Sequence, residues 1–340
     1  MNCKYWKPQN LKKKPIGLKT TFTTTAKRVC KGALLHISRR TNERKFFLKI
    51  NKKTIRILKY CLGAAAAKHK IIIHNYCFMT NHYHLLITDL EGRYPAFLAD
   101  LNRNIAKCLN VTYEHFDAIW DSRGPGVVQL SNNPTTISRV LEYIYLNPCK
   151  ARLVKHQRQY PGVKSVPEDL QGKSCKVKRP KVYFAKDGKM PKTVHLKVQL
   201  PTAVLKVMDK KSYIHHMKQR VRAGEDKIIA EVGENGFLGK RKLQQVDHLD
   251  SPRTRPSFRA LNPRFSGSNP VDLDRQKRKY RHFRTKYEDS FQRWQQGERD
   301  VEFPFGTYQM LHLHKVKVAQ APPVLEMLPR DALWDPLDTS

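Results

Sequence analysis

Acidic residues are scarce in this sequence: 29 Asp and Glu stand against 65 Lys and Arg, a formal net charge of +36. So much like charge repels itself until a polyanion neutralises it. The cations run along the whole chain rather than in one tail, which favours nucleic acid over a membrane surface or an acidic protein. Long apolar runs are missing too, and none approaches the roughly 18 residues of a membrane span. The N-terminal MNCKYWKPQNLKKKP is basic without an apolar stretch, so no secretory signal is expected and residues 1–28 read as a basic arm. Cysteine is sparse: seven, an odd number, with no C-x-x-C and none beyond Cys175. That argues against a disulfide framework or a Cys-type zinc site and fits a reducing cytoplasm. With 40% hydrophobic and 28% charged residues the chain is globular rather than disordered.

Patterning supplies the elements. KGALLHIS (31–38) reads as a strand, and Asn51 is a plausible N-cap for a helix from Thr54 to His69. KIIIHNYCFM (70–79) and HYHLLIT (82–88) read as a hairpin turning at Thr80-Asn81. A helix is expected over 94–112, a strand over 127–130, and a helix over 134–147, opened by Asn133-Pro134 and ended by Pro148. This is α+β: a ferredoxin-like antiparallel sheet with helices on one face and one helix appended. Residues 166–190 read as a basic linker, and 191–340 as a mixed, largely helical extension whose charge suggests DNA binding. The aromatic stripe of Tyr280, Phe283, Tyr287, Phe291 and Trp294 is more readily a core face than a base-stacking ladder.

Two constellations carry chemistry. His82 and His84 alternate with Tyr83, so on a strand both imidazoles share one face and can ligate one divalent cation. H-x-H is short enough to arise by chance, and LHLHKV places His312 and His314 at the same spacing in a strand-like run. No helix with a comparable nucleophile follows that second pair, which reads as structural. On the helix over 134–147, Arg139, Tyr143 and Asn147 stand at i, i+4 and i+8 and share a face away from the apolar stripe. A tyrosine beside a cation can attack a phosphodiester and keep the bond energy in a covalent ester. The phenol needs help, its ordinary pKa being about 10, and Arg139 is a candidate for favouring phenolate or holding the phosphate.

The string NHYHLLI, then LNRNIAKCLN, IWDSR, YIYLNPCKARLV and YPGVKS, resembles REP-associated tyrosine transposases of the HUH single-tyrosine superfamily over about residues 29–165. That resemblance implies an HUH nuclease domain with Mg²⁺ or Mn²⁺ on His82 and His84 and Asn147 as third ligand. It implies Tyr143 as a nucleophile that forms a 5′-phosphotyrosine, and single-stranded, hairpin-forming palindromic DNA as substrate. Tyr145 is the competing tyrosine, about 200° around the helix. Candidate DNA contacts are Arg139, Arg123, Arg39, Arg40 and Arg103. The chain departs from the family pattern at Tyr83, where an aliphatic is expected, and at Gly124, where an aromatic is expected. GFLGKRK, RALNPR and FPFGTYQM are similar to extensions on long transposase-like homologues and assign no role. The expected protein is cytoplasmic and nucleoid-associated, off the membrane, and a monomer or homodimer. The competing expectation is a domesticated, non-catalytic binder of hairpin DNA or RNA.

Overall fold

The structure is a computed structural model and describes residues 26–252 and 263–321. The basic arm up to residue 25 and most of RALNPR lie outside the described residues. Strand β1 (Ala33–Arg40) leads to α1 (Lys52–His69), β2 (Ile71–Phe78), β3 (His82–Asp89), α2 (Tyr94–Tyr113) and β4 (Gly126–Leu130). The sheet order β2-β3-β1-β4 with every pair antiparallel is the ferredoxin-like arrangement.

Local signals set these boundaries. The Asn51 side chain accepts from the Thr54 amide at 2.8 Å and caps α1. The helix stops at Lys70, a left-handed residue (φ 53°). The Asp89 carboxylate, at the end of β3, accepts from the Arg93 and Tyr94 amides at 2.8 and 2.7 Å and turns the chain into α2.

Helices α1 and α2 cover one face of the sheet. Tyr83 points to that side, where its hydroxyl donates to Asn102 of α2 at 2.9 Å and its ring meets Trp120 edge-on. The other face is covered by α3 (Pro134–Tyr145), which packs on β2 and β3 and is followed after Leu146 by the short α4 (Asn147–Lys150). The appended helix therefore lies opposite the other two, and the residues between them sit at a protein–protein layer rather than on open sheet.

The stretch over 166–190, expected as a linker, is packed. Strands β5 (Ser174–Lys178) and β6 (Thr193–Lys197) form a hairpin against α1, and Leu170, Val177, Val194 and Leu196 join the main core. Gly63 of α1 permits the approach: a Cβ there would meet Val194 Cγ2 at 3.0 Å. Basic composition concealed this, because a two-stranded hairpin needs only a few inward apolar residues to join a core.

After α5 (Thr202–Leu205), the long α6 (Lys210–Val232) braces α3. Tyr213 and Ser138 share a hydroxyl hydrogen bond of 2.8 Å, and Arg220 Nε donates to Glu142 at 2.9 Å. Gly224 lies so close that a Cβ there would meet Leu146 at 2.3 Å. Helix α7 (Lys240–Gln245) follows, and β7 (Phe265–Ser266) then extends the sheet by pairing parallel to β4.

A second, smaller core gathers on α8 (Pro270–Gln295), β8 (Glu302–Phe303), α9 (Gln309–His314) and β9 (Lys317–Val318). Phe283 and Tyr287 are buried there with Val301, Phe303, Met310 and Val316, so the aromatic stripe is a core face as expected. The predicted strand over His312 and His314 is a helix. The L-H-L-H alternation imitates a strand, but six residues are too few for periodicity to decide.

Candidate active site

Strand pairing builds the site. Ser38 pairs with His84 and Arg40 with His82, so His36, Ser38, Arg40, His82 and His84 all face α3. The His82 and His84 rings are 5.1 Å apart at 86°. His82 Nδ1 lies 2.7 Å from Asn81 Oδ1, and an amide oxygen only accepts, so His82 carries its proton on Nδ1 and presents a bare Nε2. His84 Nδ1 is engaged at 3.1 Å by His36 Nε2, so Nε2 is again the free nitrogen. Burial pushes His36 and His82 down to about 4 and His84 well below the usual imidazole range; for His84, the charges of His82 and His36 act in the same direction. All three rings are therefore neutral at pH 7, as ligation requires.

Tyr143 projects from α3 onto this group. Its ring centroid lies 5.4 Å from that of His84 and 5.8 Å from that of His36, both edge-on. Its phenol is raised by burial and lowered by a hydrogen bond from Asn147, the net being upward. The same Asn147 side chain acts on His82, raising it against the larger effect of burial, so a single carboxamide stands near both the histidine pair and the tyrosine. Leu146 keeps a helical backbone (φ −80°, ψ −3°) between α3 and α4, which is why the i+4 relation of Asn147 to Tyr143 survives the break. Tyr143 remains 38% exposed, whereas Tyr145 is 2% exposed with its hydroxyl buried and without a hydrogen-bond partner among the described residues.

The candidate arginines divide. Arg40 is exposed on the site face opposite His82, and its charge, with that of Arg44, reaches His82. Arg123 is close by: it pairs with Asp121, whose amide donates to the Arg40 carbonyl at 3.1 Å. Arg139 hydrogen-bonds Ser266 Oγ at 3.0 Å instead of the phenol. Arg39 and Arg103 stand on the far face, the first over Trp120 and the second bound to Asp100 of α2, so neither belongs to this site. Two residues escaped sequence reasoning. Lys150 Nζ lies 5.2 Å from the Tyr143 ring centroid, a contact that its i+7 spacing could have flagged. His36 had no local signal, because its contact to His84 depends on strand register.

The donor set suits a divalent cation in a specific way. Among the described residues no group of three or more His, Cys, Asp or Glu side chains is arranged to hold a metal. What stands together is two neutral imidazoles and the carboxamide of Asn147. Neutral donors leave the charge of an ion undiminished for an anionic substrate; a carbonyl oxygen suits Mg²⁺ or Mn²⁺, and imidazole suits softer first-row divalent ions as well.

No family model matches the chain, and no curated protein matches it. Solved structures share parts of the architecture. A REP-associated tyrosine transposase bound to a REP hairpin is 15% identical, with a TM-score of 0.37 over 44% of this chain and 86% of that one. A candidate transposase from Deinococcus radiodurans is 18% identical, with a TM-score of 0.27 over 36% of this chain and 95% of the other. The tRNA(His) guanylyltransferase of Saccharomyces cerevisiae is 12% identical, with a TM-score of 0.29 over 38% and 64%. At these identities and scores none of them assigns a function to this chain.

Proposed function

We propose that the chain is a transposase-like, single-tyrosine DNA nickase and strand-transferase acting on single-stranded DNA that folds into hairpins. One observation carries the reading: the Tyr143 ring stands 5.4 Å from that of His84, which stands 5.1 Å from that of His82, with the Asn147 side chain acting on both His82 and the phenol. His82 and His84 through Nε2, with Asn147, would hold Mg²⁺ or Mn²⁺, which supplies neutralisation of the scissile phosphate and polarisation of its P–O bond.

The chain's own residues do the rest. Arg40 and Arg123 at the rim receive flanking phosphates. Tyr143 loses its proton and its oxygen bonds to phosphorus. The bond from phosphorus to the 3′ oxygen breaks, and that oxygen leaves as a 3′-hydroxyl after taking a proton. The product is a 5′-phosphotyrosine, and attack by another 3′-hydroxyl reverses the step and frees the phenol. Forming phenolate at pH 7 from an ordinary phenol costs about 4 kcal/mol, so the positive field around the ring matters. Burial raises the Tyr143 phenol and Asn147 acts against it, while Lys150, its Nζ 5.2 Å from the ring centroid, is placed to attract the phenolate as it forms.

The test uses the full chain, Mn²⁺ and end-labelled single-stranded DNA carrying hairpins. A denaturation-resistant protein–DNA adduct is expected, and it should fall by at least ~1,000-fold in Tyr143→Phe. Hairpin binding with no adduct across a hairpin library would replace this reading with the non-catalytic binder. The net charge of +36 favours that second reading equally.

A further inference from the structure

We infer that His36 is a positioning residue that fixes the tautomer and orientation of His84, an inference that rests on the reading of His84 as a cation ligand. His36 lies two residues from Ser38, the cross-strand partner of His84, and so is its diagonal neighbour on the site face. Its Nε2 stands 3.1 Å from His84 Nδ1, and the two rings are stacked with centroids 5.2 Å apart at 26°. The same ring meets Tyr143 edge-on at 5.8 Å, and Tyr143 meets His84 at 5.4 Å. Three rings therefore support one another, and His36 belongs to both halves of the site without being a ligand or a nucleophile.

The hydrogen bond can run in two directions with opposite consequences. If His36 donated from Nε2, His84 would accept on Nδ1 and carry its own proton on Nε2, the nitrogen that must be bare to ligate. If His36 accepts, His84 donates from Nδ1 and Nε2 is bare. Ligation through Nε2 thus selects the second arrangement, with the His36 proton on Nδ1. His82 obtains the same tautomer from the Asn81 amide oxygen at 2.7 Å. The two histidines are held by different partners, one adjacent in sequence and the other 48 residues away. Partners of this kind orient a ligand ring and raise its basicity, and their loss costs about 10–100-fold in metal affinity.

The experiment titrates Mn²⁺ into the full-length wild type, His36→Phe, His36→Gln and His84→Ala, reading free Mn²⁺ by electron paramagnetic resonance. Phe keeps a flat ring against His84 and Tyr143 but cannot accept a hydrogen bond; the Gln side-chain oxygen can accept near the position of Nε2. The expected result is a Mn²⁺ dissociation constant 10–100-fold higher in His36→Phe, with His36→Gln within about threefold of wild type. Equal binding by His36→Phe and wild type overturns the inference. So does a His36→Gln variant as weak as His36→Phe, because packing rather than the hydrogen bond would then be what matters. Wild type that binds no Mn²⁺, or binds it undiminished in His84→Ala, overturns the ligand reading and this inference with it. Mn²⁺ binding that depends on His84 and His36, alongside no DNA adduct, leaves the inference standing and removes only the nickase.

Discussion

His82 and His84 lie on a strand, where a two-residue step returns the side chain to the same face; their rings are 5.1 Å apart and both present Nε2 to α3. His312 and His314 have the same sequence spacing but lie on α9, where that step rotates by about 200°. His312 packs on Tyr308 with centroids at 4.2 Å, beside the main core, and His314 on Trp294 at 4.8 Å, beside the second, so the two rings serve different contacts. A short motif acquires chemistry only through the element that carries it. The first pair also has what the second lacks among the described residues: outer partners that fix each tautomer, and a tyrosine on the facing helix.

The largest test of this contrast is direct exchange. His82→Ala and His84→Ala should each lower Mn²⁺-dependent hairpin cleavage by at least ~100-fold. His312→Ala should leave the rate within about twofold. Retained cleavage in the first two, with loss in the third, would mean that the wrong pair has been identified as the site.

A third histidine sharpens the comparison. His74 is as buried as His84, yet both its nitrogens are closed off, Nδ1 by the Gln199 carbonyl at 2.7 Å and Nε2 by the Thr88 hydroxyl at 2.8 Å. Burial pushes it down to about 4 from an ordinary 6.5. The unfolded chain therefore takes up this proton first. The stability contributed is complete above about pH 6.5 and is lost as pH falls toward 4, a span worth on the order of 3 kcal/mol. Denaturant unfolding of His74→Gln should be correspondingly flatter than wild type between pH 7 and 4. An identical slope would show that His74 is already charged or solvated in the fold.

The smallest effect separates the two tyrosines. Tyr145→Phe removes a buried hydroxyl that has no partner among the described residues, so folding stability should stay unchanged or rise by up to about 2 kcal/mol in urea unfolding. Adduct yield should be untouched. A destabilised Tyr145→Phe would reveal a hydrogen bond that the hydroxyl makes in solution.

Much of this fold could be read beforehand because its signals are local. Apolar alternation marks β2 and β3, the 3.6-residue stripe of Ile137, Val140, Leu141 and Ile144 marks α3, and Asn51 and Asn133 cap helices where expected. His82, His84, Tyr143 and Asn147 were nameable because each pair shares a face by short-range spacing. His36 was not, since register between β1 and β3 is a non-local property. Arg39 and Arg40 illustrate the same limit: adjacent residues on one strand face opposite sides, and only Arg40 comes to the site. KTVHLKVQLP (192–201) alternates like a strand and carries β6, but its partner strand over 174–178 was hidden by basic outer residues. The brace of α6 on α3 was hidden because it runs through Gly224 and polar pairs rather than a dense apolar stripe.

The claim that Tyr143 is the reacting tyrosine is tested most directly by locating the covalent bond. Wild-type protein is incubated with Mn²⁺ and hairpin DNA, the DNA is trimmed with nuclease, and the peptides are mapped by mass spectrometry. The account predicts a 5′-nucleotide remnant on Tyr143, lost when His84 is replaced by Ala. A remnant on Tyr145 or any other residue would contradict it.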